Sequence, residues 1–217
     1  MNSHPLFQSP EVTALQPDPT ETDIIQVDTA LESMRDSGFD LTAAVGEPID
    51  NSVEAKASVI RVQTIGGTGR HRSIDELAVA DDGQGIPPHQ MTRVLSLGYS
   101  SRYNQRTGLG RFGVAMKLAG LSLGRRIDIY TKQRESDEIS HSWIDLDEIS
   151  RKTQTTIVKE TVASWPAAHA MLMVDIAGNA LESGTLVVYG KIDRLSSGGT
   201  YGTALDEKLS DLRTFID

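Results

Sequence analysis

The sequence predicts an α+β fold: a mixed, mainly antiparallel sheet that carries helices on one face. Three observations predict it: helical patterns come early, strand patterns accumulate late, and the two do not alternate strictly. Strict alternation of strands and helices would instead indicate a doubly wound parallel sheet. The length of 217 residues allows one good hydrophobic core and favours one domain.

Helical periodicity marks four segments. A short helix is predicted over 28–35 and a longer one over 41–58. A third covers 87–97 and begins at Pro87, because the missing N–H of proline costs little in a first helical turn. The fourth covers 111–123, where apolar residues recur along one stripe, and Gly124 ends it.

Apolar runs rich in β-branched residues predict seven strands. Turn residues separate these runs, among them the glycine-rich turn at 66–69. The seven predicted strands cover 58–65, 74–80, 126–131, 142–146, 155–162, 171–176 and 185–192.

The two ends of the chain differ from the central domain, which we place at 23–204. Residues 1–22 mix proline, threonine and acids without periodicity, so we expect a flexible arm. The pattern at 205–217 begins another helix, so we expect it to lead toward a following domain.

Composition narrows the class of protein. Apolar residues make up 38% and charged residues 24%, which is ordinary for a soluble globular protein, and no apolar run is long enough to cross a membrane. The chain has no cysteine, which excludes disulfides and suits a cytoplasmic location. The net charge of −9 argues against strong intrinsic DNA binding, which usually needs a basic surface.

The first candidate motif lies on the second predicted helix. Glu47, Asn51 and Glu54 recur there at helical spacing, so one face presents a carboxylate, an amide and a second carboxylate. On its own, such spacing is typical of a solvated polar face.

The second motif is Asp81-Asp82-Gly83-Gln84-Gly85-Ile86, directly after an apolar strand. A carboxylate at a strand end can accept a hydrogen bond from an exocyclic amine, and glycines let the backbone approach a flat ligand. Alone, the pattern also fits a tight acidic turn. A calcium loop is excluded because the rest of its twelve-residue pattern is missing.

The third motif, at 107–117, is a glycine-rich loop that enters the fourth helix. Backbone N–H groups at a helix start favour anions, so this loop is a candidate phosphate site. Its G-x-G-x-x-G spacing is also that of a dinucleotide-binding fold. That alternative fails because the preceding residues, 99–107, are polar and do not form a buried strand.

Taken in order, the three motifs resemble the N box and the two glycine boxes of the GHKL superfamily, which includes gyrase, the heat-shock chaperone, histidine kinases and MutL. A fourth match, Ser183-Gly184-Thr185, resembles the late strand whose threonine supports the adenine-binding aspartate. The resemblance covers about 41–192 and implies the Bergerat-type α/β sandwich of that superfamily. The run DNSVEAKA at 50–57 is most similar to MutL, MORC-like and related bacterial ATPases.

The resemblance implies ATP and Mg²⁺ as ligands. Glu47 matches the general base that activates water, Asn51 the amide that binds Mg²⁺, and Asp81 the carboxylate that reads adenine. The other residues that it places around the nucleotide are Glu54, Gly83, Gly85, Ile86, Ser100, Ser101, Gly108, Leu109, Gly110, Arg111, Phe112, Gly113, Val114, Lys117 and Thr185.

Two of these assignments carry further expectations. Residues 98–108, which include Ser100 and Ser101, match the ATP lid of the superfamily. Lys117 matches a lysine found in some second glycine boxes, where it would neutralise phosphate charge; a solvated helix lysine is the alternative.

Pro48 departs from the family pattern, which has an apolar residue inside the helix at this position. Proline lacks the N–H that would bond to the carbonyl of Ala44, and it disfavours helical geometry at Glu47. We therefore expect the helix either to kink at Pro48 or to restart there.

The resemblance implies a slow Mg²⁺-dependent ATPase whose lid closes and which dimerises when ATP binds. Two alternatives stay open: a nucleotide-sensing module with negligible hydrolysis, and the ATP-binding half of a histidine-kinase-like protein. A carboxylate at Glu47 disfavours the kinase, because histidine kinases usually carry asparagine there. The expected partners are ATP and a second copy of the chain, without a membrane; contact with DNA would need regions outside this chain.

Overall fold

The computed structural model describes residues 23–36, 38–39, 41–66, 73–97 and 115–195. One six-stranded sheet organises them in the order β1-β2-β6-β3-β4-β5, and every neighbouring pair is antiparallel. The strands are β1 Ile60–Gly66, β2 Ile74–Asp81, β3 Gly124–Lys132, β4 Ile139–Asp145, β5 Glu160–Val162 and β6 Gly184–Ile192.

Helices connect and cover these strands. They are α1 Val27–Met34, α2 Leu41–Glu54, α3 Met91–Val94, α4 Ala115–Leu123 and α5 Leu146–Ser150, with 3₁₀ turns at Pro88–Gln90 and Ala170–Met173. Among the described residues, no helix is both long and apolar enough to cross a membrane. Together, the antiparallel sheet and these helices confirm the predicted α+β class with a mainly antiparallel sheet.

One face of the sheet forms the main core together with the long helices. Alternate residues of the central strands, such as Leu77 on β2, Ile127 on β3 and Tyr189 on β6, are fully buried against it. From the helical side, Val45 of α2 and Leu121 of α4 complete this core. Asp81, four residues after Leu77, faces the same side, so the strand period directs its carboxylate toward α2.

The opposite face of the sheet is also covered, which explains the continuous apolar runs of β2 and β6. Ala78, Ala80, Leu186 and Val188 form a second cluster there with Met173. The strands therefore bury side chains on both faces, and simple alternation of apolar and polar residues is lost.

The apolar run predicted as a strand over 171–176 supplies this cover, and the strand prediction is wrong. Ala170–Met173 is a 3₁₀ turn, followed by a single bridge between Val174 and Ala180. The carboxylate of Asp175 accepts the backbone N–H groups of Ala177 and Asn179 at 2.8 Å, which turns the chain back on itself.

The remaining differences from the predicted elements are local. The strand predicted over 155–162 shrinks to Glu160–Val162, which pairs with β4 at the sheet edge. The helix predicted over 87–97 divides into a 3₁₀ turn and the four-residue α3. Leu146, predicted to end a strand, begins α5, because Asp145 caps that helix by accepting the N–H groups of Asp147 and Glu148.

Candidate functional site

Asp81 lies at the end of β2 with a buried side chain that the protein holds from two sides. Its Oδ2 accepts a hydrogen bond from Ser52 Oγ of α2 at 2.9 Å, and its Oδ1 accepts the N–H of Gly83 at 2.8 Å. Burial raises the pKa of Asp81, while hydrogen bonds from Gly83, Ser52 and the backbone of Thr185 oppose that shift. Each carboxylate oxygen has two lone pairs, so both can accept a further hydrogen bond from a ligand.

The loop after Asp81 packs directly against α2. A Cβ on Gly83 would lie 2.8 Å from Ala55 Cβ, and the N–H of Gln84 donates to Ala55 O at 3.0 Å. Asp82 points away from Asp81 and accepts the N–H groups of Ser58 and Val59 at 2.7 and 2.9 Å. Glycine is therefore needed at 83 because the loop packs closely against Ala55 of α2. Asp82 in turn anchors the backbone that follows α2.

Gly85 fixes the other side of the same loop. Its φ is +73°, and a Cβ there would lie 2.2 Å from the carbonyl oxygen of Lys132 at the end of β3. Left-handed backbone and this close approach both require glycine.

We expect Gly85→Ala to lower the free energy of unfolding by about 3 kcal/mol or more, because the new methyl group must displace backbone and adopt a strained φ. The matched control is Gly178→Ala: Gly178 has a φ of +85° and nothing within 4 Å of its Cβ position. That variant should lose only the conformational cost, about 1–2 kcal/mol. Urea unfolding of both variants measures the difference, and equal losses would show that the contact at Lys132 is unimportant.

A threonine pair ties the loop to the sheet. Thr131 Oγ1 accepts the N–H of Ile86 at 2.8 Å and lies 3.1 Å from Thr185 Oγ1, and it donates to Gly184 O at 3.0 Å. Thr131 and Thr185 are direct partners across β3 and β6. Thr185 and Ile86, both assigned to the site from the sequence, therefore meet through Thr131.

Sequence reasoning missed Thr131 and Ser52. Ser52 could have been found from the sequence, because it lies four residues after the apolar Pro48. The two side chains therefore share one helix face, the one that an apolar residue is expected to bury. Thr131 has no comparable signal, since only the register of β3 against β6 places it opposite Thr185.

The α2 side of the site carries Glu47, Asn51 and Glu54. Glu47 is half-buried, whereas Asn51 and Glu54 are exposed. Burial raises the pKa of Glu47, and the negative charge of Asp50 raises it further.

The helix does not restart at Pro48, and that alternative is wrong. The α2 helix runs from Leu41 to Glu54 with Pro48 inside it and buried. Ser52 Oγ donates to the carbonyl of Pro48 at 2.9 Å while it also contacts Asp81, so the segment after the proline is joined to the site. Glu47 and Asn51 consequently lie one turn apart on one continuous helix.

Lys117 is buried, so the alternative of a solvated helix lysine is wrong. Its Nζ donates to the carbonyl of Ser96 at 2.7 Å, and burial lowers its pKa to about 8. This contact joins α4 to Ser96, which lies two residues before the segment 98–108 that resembles the ATP lid.

Several assigned residues lie outside the described part of the chain. They are Ser100, Ser101, Gly108, Leu109, Gly110, Arg111, Phe112, Gly113 and Val114, which include every glycine of the candidate phosphate motif. The proposed arm at 1–22 and the predicted helix at 205–217 also fall outside it.

Known proteins resemble this chain both in sequence family and in structure. The family described as "Histidine kinase-, DNA gyrase B-, and HSP90-like ATPase" matches residues 39–177, well over half of the chain. Among solved structures, the chain is similar to the Aquifex aeolicus MutL ATPase domain complexed with ADP, with 14% identity and a TM-score of 0.47. That match covers 82% of this chain and 53% of the other, so this chain spans about half the length of the matched protein.

The family match spans α2, β2 and the Asp81 loop, which together carry the described part of the candidate site. The chain therefore belongs to the histidine kinase-, DNA gyrase B- and HSP90-like ATPase family, a family of ATP-binding domains.

Proposed function

We propose that the chain is a slow Mg²⁺-dependent ATPase in which bound ATP drives closure of a lid at 98–108 and dimerisation. The observation that supports it most is the buried Asp81 carboxylate, held by Ser52 and Gly83 beside the helix that carries Glu47 and Asn51. The proposed adenine acceptor therefore lies beside the helix that carries the proposed base and the proposed metal ligand.

Asp81 is proposed to accept the exocyclic amine of adenine. A charge-assisted hydrogen bond of this kind contributes about 1.5–3 kcal/mol. Guanine has a carbonyl at the same ring position, which would face a carboxylate that can only accept, so GTP should be rejected.

Glu47 is proposed to act as the general base of hydrolysis. Water attacks the γ-phosphorus, the bond from that phosphorus to the bridging oxygen of ADP breaks, and the proton of the water passes to the Glu47 carboxylate. The raised pKa of Glu47 suits this role, because a base works best when its pKa approaches the working pH.

Asn51 is proposed to hold Mg²⁺ through its side-chain oxygen. The residues present fit this ion, because Mg²⁺ prefers oxygen ligands and usually binds through one or two protein groups together with substrate phosphates. Among the described residues, no group of three or more acidic or imidazole side chains could hold a metal alone. When bound, Mg²⁺ neutralises phosphate charge in the transition state.

The lid and the dimer are tested together. A non-hydrolysable ATP analogue with Mg²⁺ is expected to convert monomer to dimer and to protect the amides of 98–108, measured by light scattering and hydrogen exchange. Ordering of a segment by γ-phosphate contacts is the physical reason. No protection of 98–108 at saturation would contradict the lid assignment.

Asn51→Ala tests the metal ligand separately, by titration with the analogue in the presence and absence of Mg²⁺. It removes the proposed metal ligand but no adenine contact, so Mg²⁺ should no longer raise the affinity for the analogue. If Mg²⁺ raises that affinity as much as in the unmodified chain, Asn51 is not the ligand.

A further inference from the structure

Two buried hydroxyl groups have no hydrogen-bond partner among the residues that the structure describes: Ser142 Oγ and Tyr189 Oη. Buried polar atoms are almost always bonded, because the loss of water is otherwise uncompensated. An orphaned buried hydroxyl therefore points to a partner that the described contacts do not include.

Tyr189 lies in the centre of the sheet, on the face that α2 and α4 cover. It pairs with Leu77 on one side and Ile127 on the other, and its side chain is fully buried. Gly120 of α4 leaves the space that its ring fills, since a Cβ there would lie 2.3 Å from Tyr189 Cε1. The ring is thus held between the sheet and α4, which fixes the position of its hydroxyl.

Glu47 is the candidate acceptor for this hydroxyl, because α2, which carries it, packs against the helix α4 that contacts the Tyr189 ring. Burial raises the pKa of Tyr189, and the negative charge of Glu47 raises it further, so the phenol keeps its proton and can donate. The Glu47 side chain is half-buried on α2, which packs against α4 over the sheet. A glutamate has three side-chain torsions, so its carboxylate can turn toward a donor in the buried layer or toward the nucleotide.

We propose that Tyr189 is a positioning residue for Glu47: its hydroxyl donates a hydrogen bond to the Glu47 carboxylate, directly or across one water. This inference rests on the proposed role of Glu47 as the general base. The hydrogen bond favours the charged carboxylate and so opposes the effects of burial and of Asp50. It also restrains a side chain that directly precedes a proline in the helix, where the backbone N–H of residue 48 is missing.

The test is Tyr189→Phe in the whole chain, which removes the hydroxyl and keeps the ring against Gly120. The carboxyl carbon of Glu47, titrated by NMR, is expected to show a pKa higher by roughly 0.5–1 unit in the variant. The acid limb of the ATPase rate should move to higher pH by the same amount. The plateau rate should fall by about threefold to tenfold, because the Glu47 carboxylate is no longer restrained. The affinity for ATP should not change.

Ser142→Ala is the matched control, because it removes the other orphaned hydroxyl. Ser142 lies on β4, two strands from β6 and hence roughly 10 Å away across the sheet. This variant should leave both the titration of Glu47 and the pH profile in place.

An unchanged Glu47 titration in Tyr189→Phe would overturn the inference, whatever happens to thermal stability. A titration that moves in a chain without any phosphate release would instead support the Tyr189 contact while contradicting the proposed hydrolysis. The two claims therefore fail separately.

Discussion

Asp81→Asn is expected to abolish detectable ATP binding while the chain stays folded. The amide replaces one of the two acceptor oxygens with a donor. If its N–H group faces the N–H of Gly83 or the adenine amine, two donors oppose each other; if it faces Ser52 Oγ, a single oxygen is left to serve both Gly83 and the adenine amine. The loss of a charge-assisted bond alone lowers affinity by roughly tenfold to more than a hundredfold, and the opposed donors add to it. Isothermal titration measures the affinity, and circular dichroism checks the fold.

Asp82→Asn is the matched control for this experiment. Asp82 is the adjacent carboxylate, but its Oδ1 accepts the backbone N–H groups of Ser58 and Val59, a role that the oxygen of asparagine can keep. ATP affinity should therefore remain close to that of the unmodified chain. If folded Asp81→Asn binds ATP normally, Asp81 is not the adenine acceptor.

Glu47→Gln has the second large expected effect: ATP binding is retained, but the rate of phosphate release falls by about 10²–10⁴-fold. Glutamine keeps the shape of the side chain but cannot accept the proton of the attacking water, and general base catalysis contributes about this factor. Phosphate release under saturating ATP measures the rate. If the unmodified chain releases no phosphate, the alternative of a nucleotide-sensing module is favoured instead.

Asp50→Asn gives this prediction its pH control. A base acts only when deprotonated, so a raised pKa of Glu47 moves the acid limb of the rate profile to higher pH. The charge of Asp50 contributes to that shift, after burial. Neutralising Asp50 should therefore move the acid limb to lower pH and leave the plateau rate unchanged. If the acid limb does not move in Asp50→Asn, a group other than Glu47 is responsible for it.

The sequence was a sound guide where a local pattern decides structure. The strand before Asp81 and the helix that carries Glu47 and Asn51 were predicted, because apolar periodicity and turn glycines mark both. Periodicity could not give the order of strands: β6, from the far end of the described chain, lies between β2 and β3 and brings Thr185 beside Asp81, a neighbour that only the resemblance implied.

The sequence misled where tertiary contacts override local preference. Met173 belongs to an apolar run that reads as a strand, yet it covers the second face of the sheet from a 3₁₀ turn. Pro48 reads as a helix breaker, yet α2 passes through it, with the surrounding positions Ala44, Val45 and Ser52 packed against the rest of the fold. Burial supplies the free energy that propensity lacks.

The closer resemblance to MutL and MORC-like ATPases stays a prediction from the run at 50–57. The matched family includes both histidine kinase-like and gyrase-like ATPases, so an adenine site alone cannot separate these branches. The hydrolysis measured with Glu47→Gln separates a hydrolase from a kinase-like module, because the kinase needs no base to activate water.

Titration of the unmodified chain with ATP and with GTP, under the same Mg²⁺ concentration, tests the central claim most directly. A buried carboxylate that accepts the adenine amine predicts binding of ATP and a loss of at least about tenfold for GTP, since guanine has a carbonyl in that place. Equal affinity for the two nucleotides, or no binding of ATP, would contradict the assignment of Asp81 as the adenine-reading residue.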